Sequence, residues 1–171
     1  MHNGDISMPI LLKKYVYENL PKNLLINIKG NTDSEYAFHL FINQLSKKEN
    51  LNIPNIKKWE TSLKETIRII DEVTVGISSM NFCVTDGNII VCSRYISINI
   101  KNEKPPSLYL SIGEEYISNN KVSYMKKTEQ DNHCVIISSE PIDNNINEWK
   151  LIPANTILSV DNSNEINITD I

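Results

Sequence analysis

The sequence of 171 residues has no apolar run that approaches the roughly 20 residues needed to cross a bilayer. Near its first methionine it also lacks the positively charged and then apolar pattern of a signal peptide. It has only three cysteines, which are odd in number and lie without metal-ligand spacing. We therefore expect a cytoplasmic protein with reduced thiols, without a metal and without a cofactor.

An excess of positive charge is absent as well. Lysine and arginine number 17 against 21 aspartates and glutamates, which gives a net charge of −4. The basic pairs Lys47-Lys48, Lys57-Lys58 and Lys126-Lys127 are short and separated, as on a solvated surface. A nucleic-acid partner is not expected, because such proteins usually present a basic face. The length suits one globular domain.

Hydrophobic periodicity predicts helices in the first part of the chain. In the third of them Ile56, Trp59, Leu63 and Ile67 recur at steps of three and four, which indicates one buried face. The predicted helices cover residues 9–20, 33–47 and 54–71.

The period changes to alternation after the third helix, and an Asp86-Gly87 turn joins the first two strands. Polar and turn-rich linkers separate several of the strands. Helices followed by strands, without regular alternation, predict an α+β fold with antiparallel sheets. The predicted strands cover residues 80–85, 89–96, 107–111, 134–139, 148–152, 156–160 and 165–171, and the linkers cover 100–106, 119–133 and 143–147.

Two short motifs carry chemistry, and each also has a structural reading. His2-Asn3-Gly4 contains an Asn-Gly pair, which alone is a strong turn signal. It can also supply an amide and a main-chain N–H to a developing oxyanion. The second motif, residues 30–35, has Thr32 and Glu35 at the spacing of a helix capping box. Asp33 inside it can accept hydrogen bonds from a substrate ammonium group.

These motifs resemble the glutamine pocket of the class II glutamine amidotransferases, which are N-terminal nucleophile hydrolases. The similarity is to the group that includes the fungal glutathione-degradation amidotransferase subunit and its bacterial relatives. Further segments stand in that group's order and extend the resemblance over nearly the whole chain. They are residues 81–87, 93–96, 107–113, 138–141 and 149–157.

The resemblance implies a fold and a set of roles. The fold is a four-layer α-β-β-α sandwich with antiparallel sheets, of which residues 1–171 would be the C-terminal portion of an amidotransferase type-2 domain. Asn3 and Gly4 would form the oxyanion hole, and Asp33 and Thr32 would bind the substrate. The implied reaction is hydrolysis of a γ-glutamyl amide, in glutamine or a glutathione-type peptide, beside a metallopeptidase-like partner subunit.

The nucleophile of this family is an N-terminal cysteine upstream of the His-Asn-Gly stretch. Here His2 follows the first methionine directly, so we expect that the nucleophile is missing through truncation and that the chain alone is inactive. The alternative is a noncatalytic remnant or an interaction subunit that keeps the fold. Cys83, Cys92 and Cys134 lie in apolar alternating runs, where a thiol is usually a small core residue with a raised pKa.

Other polar residues receive structural interpretations. His2 is expected to pack rather than to act as an acid or base. His39 is placed on its helix away from the apolar stripe, and His133 in a polar loop, neither at metal-ligand spacing. Arg94 and Glu140 match motif positions of the group, and either an ion pair or a substrate contact fits them.

Overall fold

The computed structural model describes residues 1–49, 55–97, 103–119, 122–127 and 134–171. Its helices lie in the first half of the chain and its strands mostly in the second, as the sequence predicts. The helices are α1 (Pro9–Asn19), α2 (Lys22–Leu25), α3 (Asp33–Ser46) and α4 (Asn55–Val73), with one 3-10 turn at Ile146–Glu148. The strands are β1 (His2–Asp5), β2 (Ser79–Thr85), β3 (Ile90–Arg94), β4 (Tyr109–Gly113), β5 (Glu115–Ser118), β6 (Ser123–Lys126), β7 (Cys134–Ser138), β8 (Lys150–Leu151), β9 (Thr156–Val160) and β10 (Ile166–Asp170).

The three predicted long helices are confirmed, with ends that local chemistry explains. Pro9 occupies the first turn of α1, where a missing N–H costs nothing. The helix stops before Pro21, and the N–H of Leu20 still reaches the carbonyl of Val16 at 3.0 Å. In α4 the predicted stripe is buried, with Leu63 and Ile67 each 1% exposed. Its predicted start at Pro54 lies outside the described residues.

The strands form antiparallel sheets. The first sheet has the order β1-β2-β3-β9-β10, and the second has the order β7-β4-β8. β5 and β6 form a separate hairpin. β2 and β3 are joined around Asp86, whose Oδ1 accepts the N–H groups of Asn88 at 2.9 Å and Ile89 at 3.0 Å. This is the predicted hairpin turn.

The core has two parts, one on each face of the first sheet. On one face, side chains such as Met80 and Phe82 pack with Leu12, Leu40 and Ile67 of the helices. On the other face, side chains of β3 and β9 pack against β4 and against Ile152. Helices, first sheet and second sheet are therefore three successive layers, which correspond to the α-β-β part of the predicted four-layer α-β-β-α sandwich with antiparallel sheets.

Three strands differ from the sequence prediction. β1 was read as a turn, β5 was not predicted, and β6 lies inside the predicted linker 119–133. The predicted strand 148–152 shortens to β8, because the 3-10 turn occupies the residues before it. β1 and β8 are edge or short strands that pair with segments far away in sequence, whereas β5 and β6 are four-residue strands that pair with each other. Within the described ranges, no helix combines the length and apolar character needed to cross a membrane.

Candidate functional site

Asn3 and Gly4 lie in strand β1 at the edge of the first sheet. They pair with Asn81 and Met80 of β2 in an antiparallel register. The turn reading of this Asn-Gly pair is therefore wrong. The pairing partners are more than seventy positions away in sequence, so no local signal could have revealed the strand.

Gly4 is required at its position by a close approach of the backbone. Its φ is +154°, and a Cβ atom there would lie 2.0 Å from the carbonyl oxygen of Ser79. Real Cβ atoms do not come that near to another heavy atom, so any side chain would displace β1 from β2. The glycine thus holds the strand at its observed distance from Ser79.

The N–H group of Gly4 points away from β2. In an antiparallel ladder, residues alternately bond to the partner strand and point away from it. Met80 and Phe82, which face Gly4 and His2, donate their N–H groups to Tyr95 O at 2.8 Å and to Ser93 Oγ at 3.1 Å in or beside β3. The N–H groups of Met80 and Phe82 are therefore not bonded to β1. Gly4 and Met80 are thus a pair that does not exchange main-chain hydrogen bonds, and the N–H of Gly4 faces the open edge of the sheet.

The side chain of Asn3 lies on the face of the sheet that turns toward the second sheet. Its register partner Asn81 is on that face, since it donates to the carbonyl oxygen of Pro106 at 2.9 Å. Asn3 is exposed, and within the described ranges its amide has no hydrogen-bond partner. The Asn3 amide and the Gly4 N–H are therefore two donors that have no hydrogen-bond partner within the described ranges.

Asp33 joins the start of helix α3 to the end of β1. Its Oδ2 accepts the N–H of Ile6 at 3.1 Å, and its Oδ1 accepts the N–H of Ser34 at 2.7 Å. The carboxylate stands in the first turn of α3, where the helix dipole favours negative charge. Through the bond to Ile6, the Asp33 carboxylate connects the residue after β1 to the start of α3.

Thr32 is the N-cap of α3, as predicted, because its Oγ1 accepts the N–H of Glu35 at 3.2 Å. The second half of the predicted capping box is wrong. Instead of reaching the N–H of Thr32, the Glu35 carboxylate accepts the N–H groups of Lys29 and Gly30, each at 2.7 Å. Lys29 and Gly30 are in the loop before α3, so the Glu35 carboxylate holds this loop against the first turn of the helix.

His2 connects β1 with both α3 and β2. Its Nε2 donates to the carbonyl oxygen of Ser79 at 3.2 Å, and its Nδ1 lies 3.0 Å from Ser34 Oγ and 3.9 Å from Asp33 Oδ2. The ring packs on Phe82, with centroids 4.6 Å apart, and the side chain is only 3% exposed. The expected packing role is confirmed. Ser34, which links His2 to Asp33, was missed although it stands in the same motif.

A small, mainly apolar cavity of about 90 Å³ lies beside this connection. Asn3, Gly4 and Asp33 do not line it. The structure thus brings Asp33 against β1 through Ile6 and His2, while the Asn3 amide lies on the opposite face and the Gly4 N–H on the edge between them. The residues lining the cavity include Met1, His2, Ser34, Phe38, Phe41 and Phe82.

Among the described residues Arg94 forms no ion pair, and its guanidinium group bonds main-chain carbonyl groups instead. It is buried, and it donates to the carbonyl oxygens of Pro106 at 2.9 Å, Ile152 at 2.6 Å and Pro105 at 3.2 Å. Burial lowers the pKa of its guanidinium group. Glu140 is exposed. Arg94 therefore connects the residues just before β4 and just after β8 to β3.

The remaining candidate residues lie inside the fold. His39, which the sequence places away from the apolar stripe, is buried, and its Nδ1 donates to the carbonyl oxygen of Glu35 at 2.9 Å along α3. His133 lies outside the described residues. The expected raised pKa is confirmed for Cys92 and wrong for Cys83, whose pKa is lowered by its interaction with the Cys92 thiol. In the described ranges no group of acidic, His or Cys side chains is arranged to hold a metal ion.

Sequence comparison identifies relatives of this chain. The family described as class-II glutamine amidotransferases matches residues 1–169. The probable glutamine amidotransferase DUG3 of Saccharomyces cerevisiae is 31% identical, over 94% of this chain and 48% of its own length. The chain thus spans about half the length of this curated relative.

Solved structures show the same fold. A glutamine aminotransferase class-II domain protein from Silicibacter pomeroyi aligns with a TM-score of 0.61 at 18% identity, over 100% of this chain and 66% of that one. A predicted glutamine amidotransferase from Pseudomonas aeruginosa aligns with a TM-score of 0.59 at 17% identity, over 97% of this chain and 58% of that one. At these identities the likeness concerns the fold alone.

Proposed function

The chain belongs to the class II glutamine amidotransferases, and from that premise we propose that it binds the amine and the oxyanion during cleavage of a γ-glutamyl amide. A thiolate would attack the carbonyl carbon of the substrate's side-chain amide, and the carbonyl oxygen would become an oxyanion. The observation that carries the proposal is a pair of donors at β1 without a partner among the described residues, the Asn3 amide and the outward N–H of Gly4. Preorganised donors of this kind stabilise the transition state.

Asp33 and Thr32 are the proposed groups for the substrate's amino-acid end. The Asp33 carboxylate accepts protein hydrogen bonds from Ile6 and Ser34, and it retains acceptor capacity for an ammonium group. The Thr32 hydroxyl accepts from Glu35 and keeps its own proton to donate to a substrate carboxylate. A substrate lying along the open edge of β1 would have its amide at Gly4 and its amine toward α3.

The nucleophile in this proposal is a cysteine that is not among these 171 residues. Cys83 and Cys92 face the interior between the two sheets, and Cys134 belongs to β7 of the second sheet. Cys83 is in the strand next to β1, but its thiol lies on the face of the first sheet away from α3. We therefore propose a thiolate from the same protein's N-terminal cysteine, as in the family pattern.

The substrate proposed is glutamine or a glutathione-type peptide with a γ-glutamyl bond, in the cytoplasm. A metallopeptidase-like subunit is the proposed partner, taken from the resemblance to the glutathione-degradation group. We also propose a second function, because the three thiols are fully or partly buried and belong to β2, β3 and β7. In that reading the 171 residues form a noncatalytic remnant or an interaction subunit that keeps the fold.

The test compares the 171 residues with the full-length protein that the gene encodes. We expect no glutamine or glutathione hydrolysis from residues 1–171 alone, and turnover once a Met-Cys segment precedes them. Ammonia release and glutamate release are the two readouts for glutamine. Activity of the short chain that is lost on changing Cys83, Cys92 or Cys134 would contradict the proposal. A gene without any upstream cysteine codon would favour the noncatalytic function.

A further inference from the structure

Two of the three cysteines stand opposite each other in neighbouring strands. Cys83 of β2 and Cys92 of β3 are register partners in the first sheet. Residues opposite each other in an antiparallel pair carry their side chains on the same face. Both thiols accordingly belong to the core between the two sheets, with Cys92 fully buried and Cys83 partly accessible.

The hydrogen bonds identify which kind of pair this is. The N–H of Cys83 donates to the carbonyl oxygen of Met1 at 2.9 Å, on the β1 side. Its neighbour Phe82 donates to Ser93 Oγ at 3.1 Å, on the β3 side. Cys83 and Cys92 are therefore a pair that does not exchange main-chain hydrogen bonds.

That geometry suits a covalent link. In pairs without mutual main-chain bonds the two Cα atoms are about 4.5 Å apart, and the side chains approach closely. Disulfides in proteins span Cα separations of about 4.4–6.8 Å, so the strands need not move for a bond to form. The hairpin between the two cysteines, centred on Asp86 and Gly87, also keeps them in register.

The two thiols are chemically unequal. Interaction with Cys92 is the main cause that lowers the pKa of Cys83, to about 7, against the opposing effect of burial. Interaction with Cys83 and burial both raise the pKa of Cys92. The accessible sulfur is thus the better nucleophile, and the buried one stays protonated beside it.

We propose that Cys83 and Cys92 are a modification site at which a hydroperoxide produces an intramolecular disulfide. The Cys83 thiolate attacks one peroxide oxygen, the O–O bond breaks, and the released alkoxide or hydroxide takes up the proton that Cys83 lost. Cys83 is then a sulfenic acid. The Cys92 sulfur attacks the Cys83 sulfur, the S–O bond breaks, and water leaves with the Cys92 proton. The two sulfurs supply the two electrons that reduce the peroxide.

The test treats the folded chain with hydrogen peroxide, blocks remaining thiols by alkylation after denaturation, and cleaves the chain before Asp86. This cut separates Cys83 from Cys92, so their two fragments stay together only if a disulfide joins them. We expect linked fragments with the mass of two hydrogens lost, and separation after dithiothreitol. Alkylation of both thiols after peroxide treatment, or a link to another chain, would overturn the proposal.

Cys134→Ala is the matched control, because it removes the third thiol and should leave the linked fragments unchanged. Cys83→Ala should abolish them, and Cys92→Ala should leave Cys83 trapped by a sulfenic-acid reagent. Thermal unfolding of each reduced variant checks that the fold persists, which matters most at the fully buried Cys92. A disulfide between Cys83 and Cys134 in the unmodified chain would also refute the assignment.

Discussion

Asn3 and Asn81 face each other across β1 and β2, yet their side chains are used in opposite ways. Asn81 is buried and makes three hydrogen bonds, to Tyr95 N at 3.3 Å, Pro106 O at 2.9 Å and Ser107 O at 3.2 Å. Asn3 is exposed and makes none within the described residues. The difference indicates that a satisfied amide stabilises the fold, whereas an open amide is available to a ligand.

The same contrast extends to the surroundings of each asparagine. The Arg94 cluster comprises Asn81 and Arg94 with the carbonyl groups of Pro105, Pro106 and Ile152. The β1–α3 junction comprises His2, Asn3, Gly4, Asp33 and Ser34. We expect changes in the cluster to affect stability and changes in the junction to affect catalysis.

Replacement of Arg94 by alanine should have the largest effect of the five changes considered. Three buried carbonyl groups would lose their donor, so we expect a loss of about 3–5 kcal/mol in the free energy of unfolding. Urea unfolding measures it. Arg68→Ala is the control, because Arg68 is exposed on α4 and its ion pair within the described residues is with the exposed Glu72. Equal losses for both variants would remove the distinction between cluster and surface.

Asn3→Ala tests the opposite side of the comparison. Loss of one oxyanion donor should lower kcat of the full-length protein by about 100- to 1,000-fold. The melting temperature should stay nearly constant, since the side chain is exposed. Asn81→Ala is the matched control and should lower stability through its three lost hydrogen bonds. An unchanged kcat in Asn3→Ala would remove Asn3 from the site.

Asp33 has a structural role at the junction and a proposed role in substrate binding, and two variants separate them. Asp33→Asn keeps an oxygen for the Ile6 N–H but loses the negative charge, so KM should rise about 10- to 100-fold with little loss of stability. Asp33→Ala should raise KM similarly and also destabilise the junction. Asp5→Asn, a nearby exposed acid, is the control. A KM that responds to neither Asp33 variant would exclude this carboxylate from binding.

Glu60 extends the comparison to a buried acid in a structural role. Burial would raise its pKa, but hydrogen bonds from Lys57, Ser159 and Asn167 and the charge of Lys57 outweigh burial and lower it. A lowered pKa gives stability that is present above the ordinary value of 4.5 and is lost as the pH falls through the folded-state value. Glu60→Gln should cost about 1.5 kcal/mol at neutral pH.

Urea unfolding between neutral and acidic pH measures the effect of Glu60. The unmodified chain should lose stability more steeply toward low pH than Glu60→Gln does. Glu65→Gln is the control, because Glu65 is on the same helix and, in the part of the chain that the structure describes, its ion pair is with Lys48 at 2.9 Å. Parallel pH curves for the unmodified chain and Glu60→Gln would contradict the assignment.

Thr32→Ala should have the smallest effect. Loss of the N-cap should cost about 1 kcal/mol in the free energy of unfolding. Thr32→Ser keeps the capping oxygen and should restore stability, which separates capping from packing of the methyl group. If Thr32 also binds the substrate carboxylate, KM should rise in Thr32→Ala and return in Thr32→Ser. An unchanged free energy of unfolding in Thr32→Ala would contradict the stabilising role of this N-cap.

Much of the fold follows from local pattern. The period of α4, the N-cap at Thr32 and the strand Thr156–Val160 were predicted because their signals lie within a few residues of each other. β1 and the β5–β6 hairpin were missed. An Asn-Gly strand at a sheet edge and a polar hairpin have no local period, and only their pairing partners define them.

The sequence by itself determined the family and named Asn3, Gly4 and Asp33, because motifs preserve residue types at set spacings. Tertiary structure alone decided which donors are free: Gly4 points outward because Met80 and Phe82 bond to the β3 side instead. It also decided that Arg94 serves three carbonyl groups and that Cys83 meets Cys92. Hydrogen-bond partners and sheet register arise between segments far apart in the chain, and no local pattern encodes them.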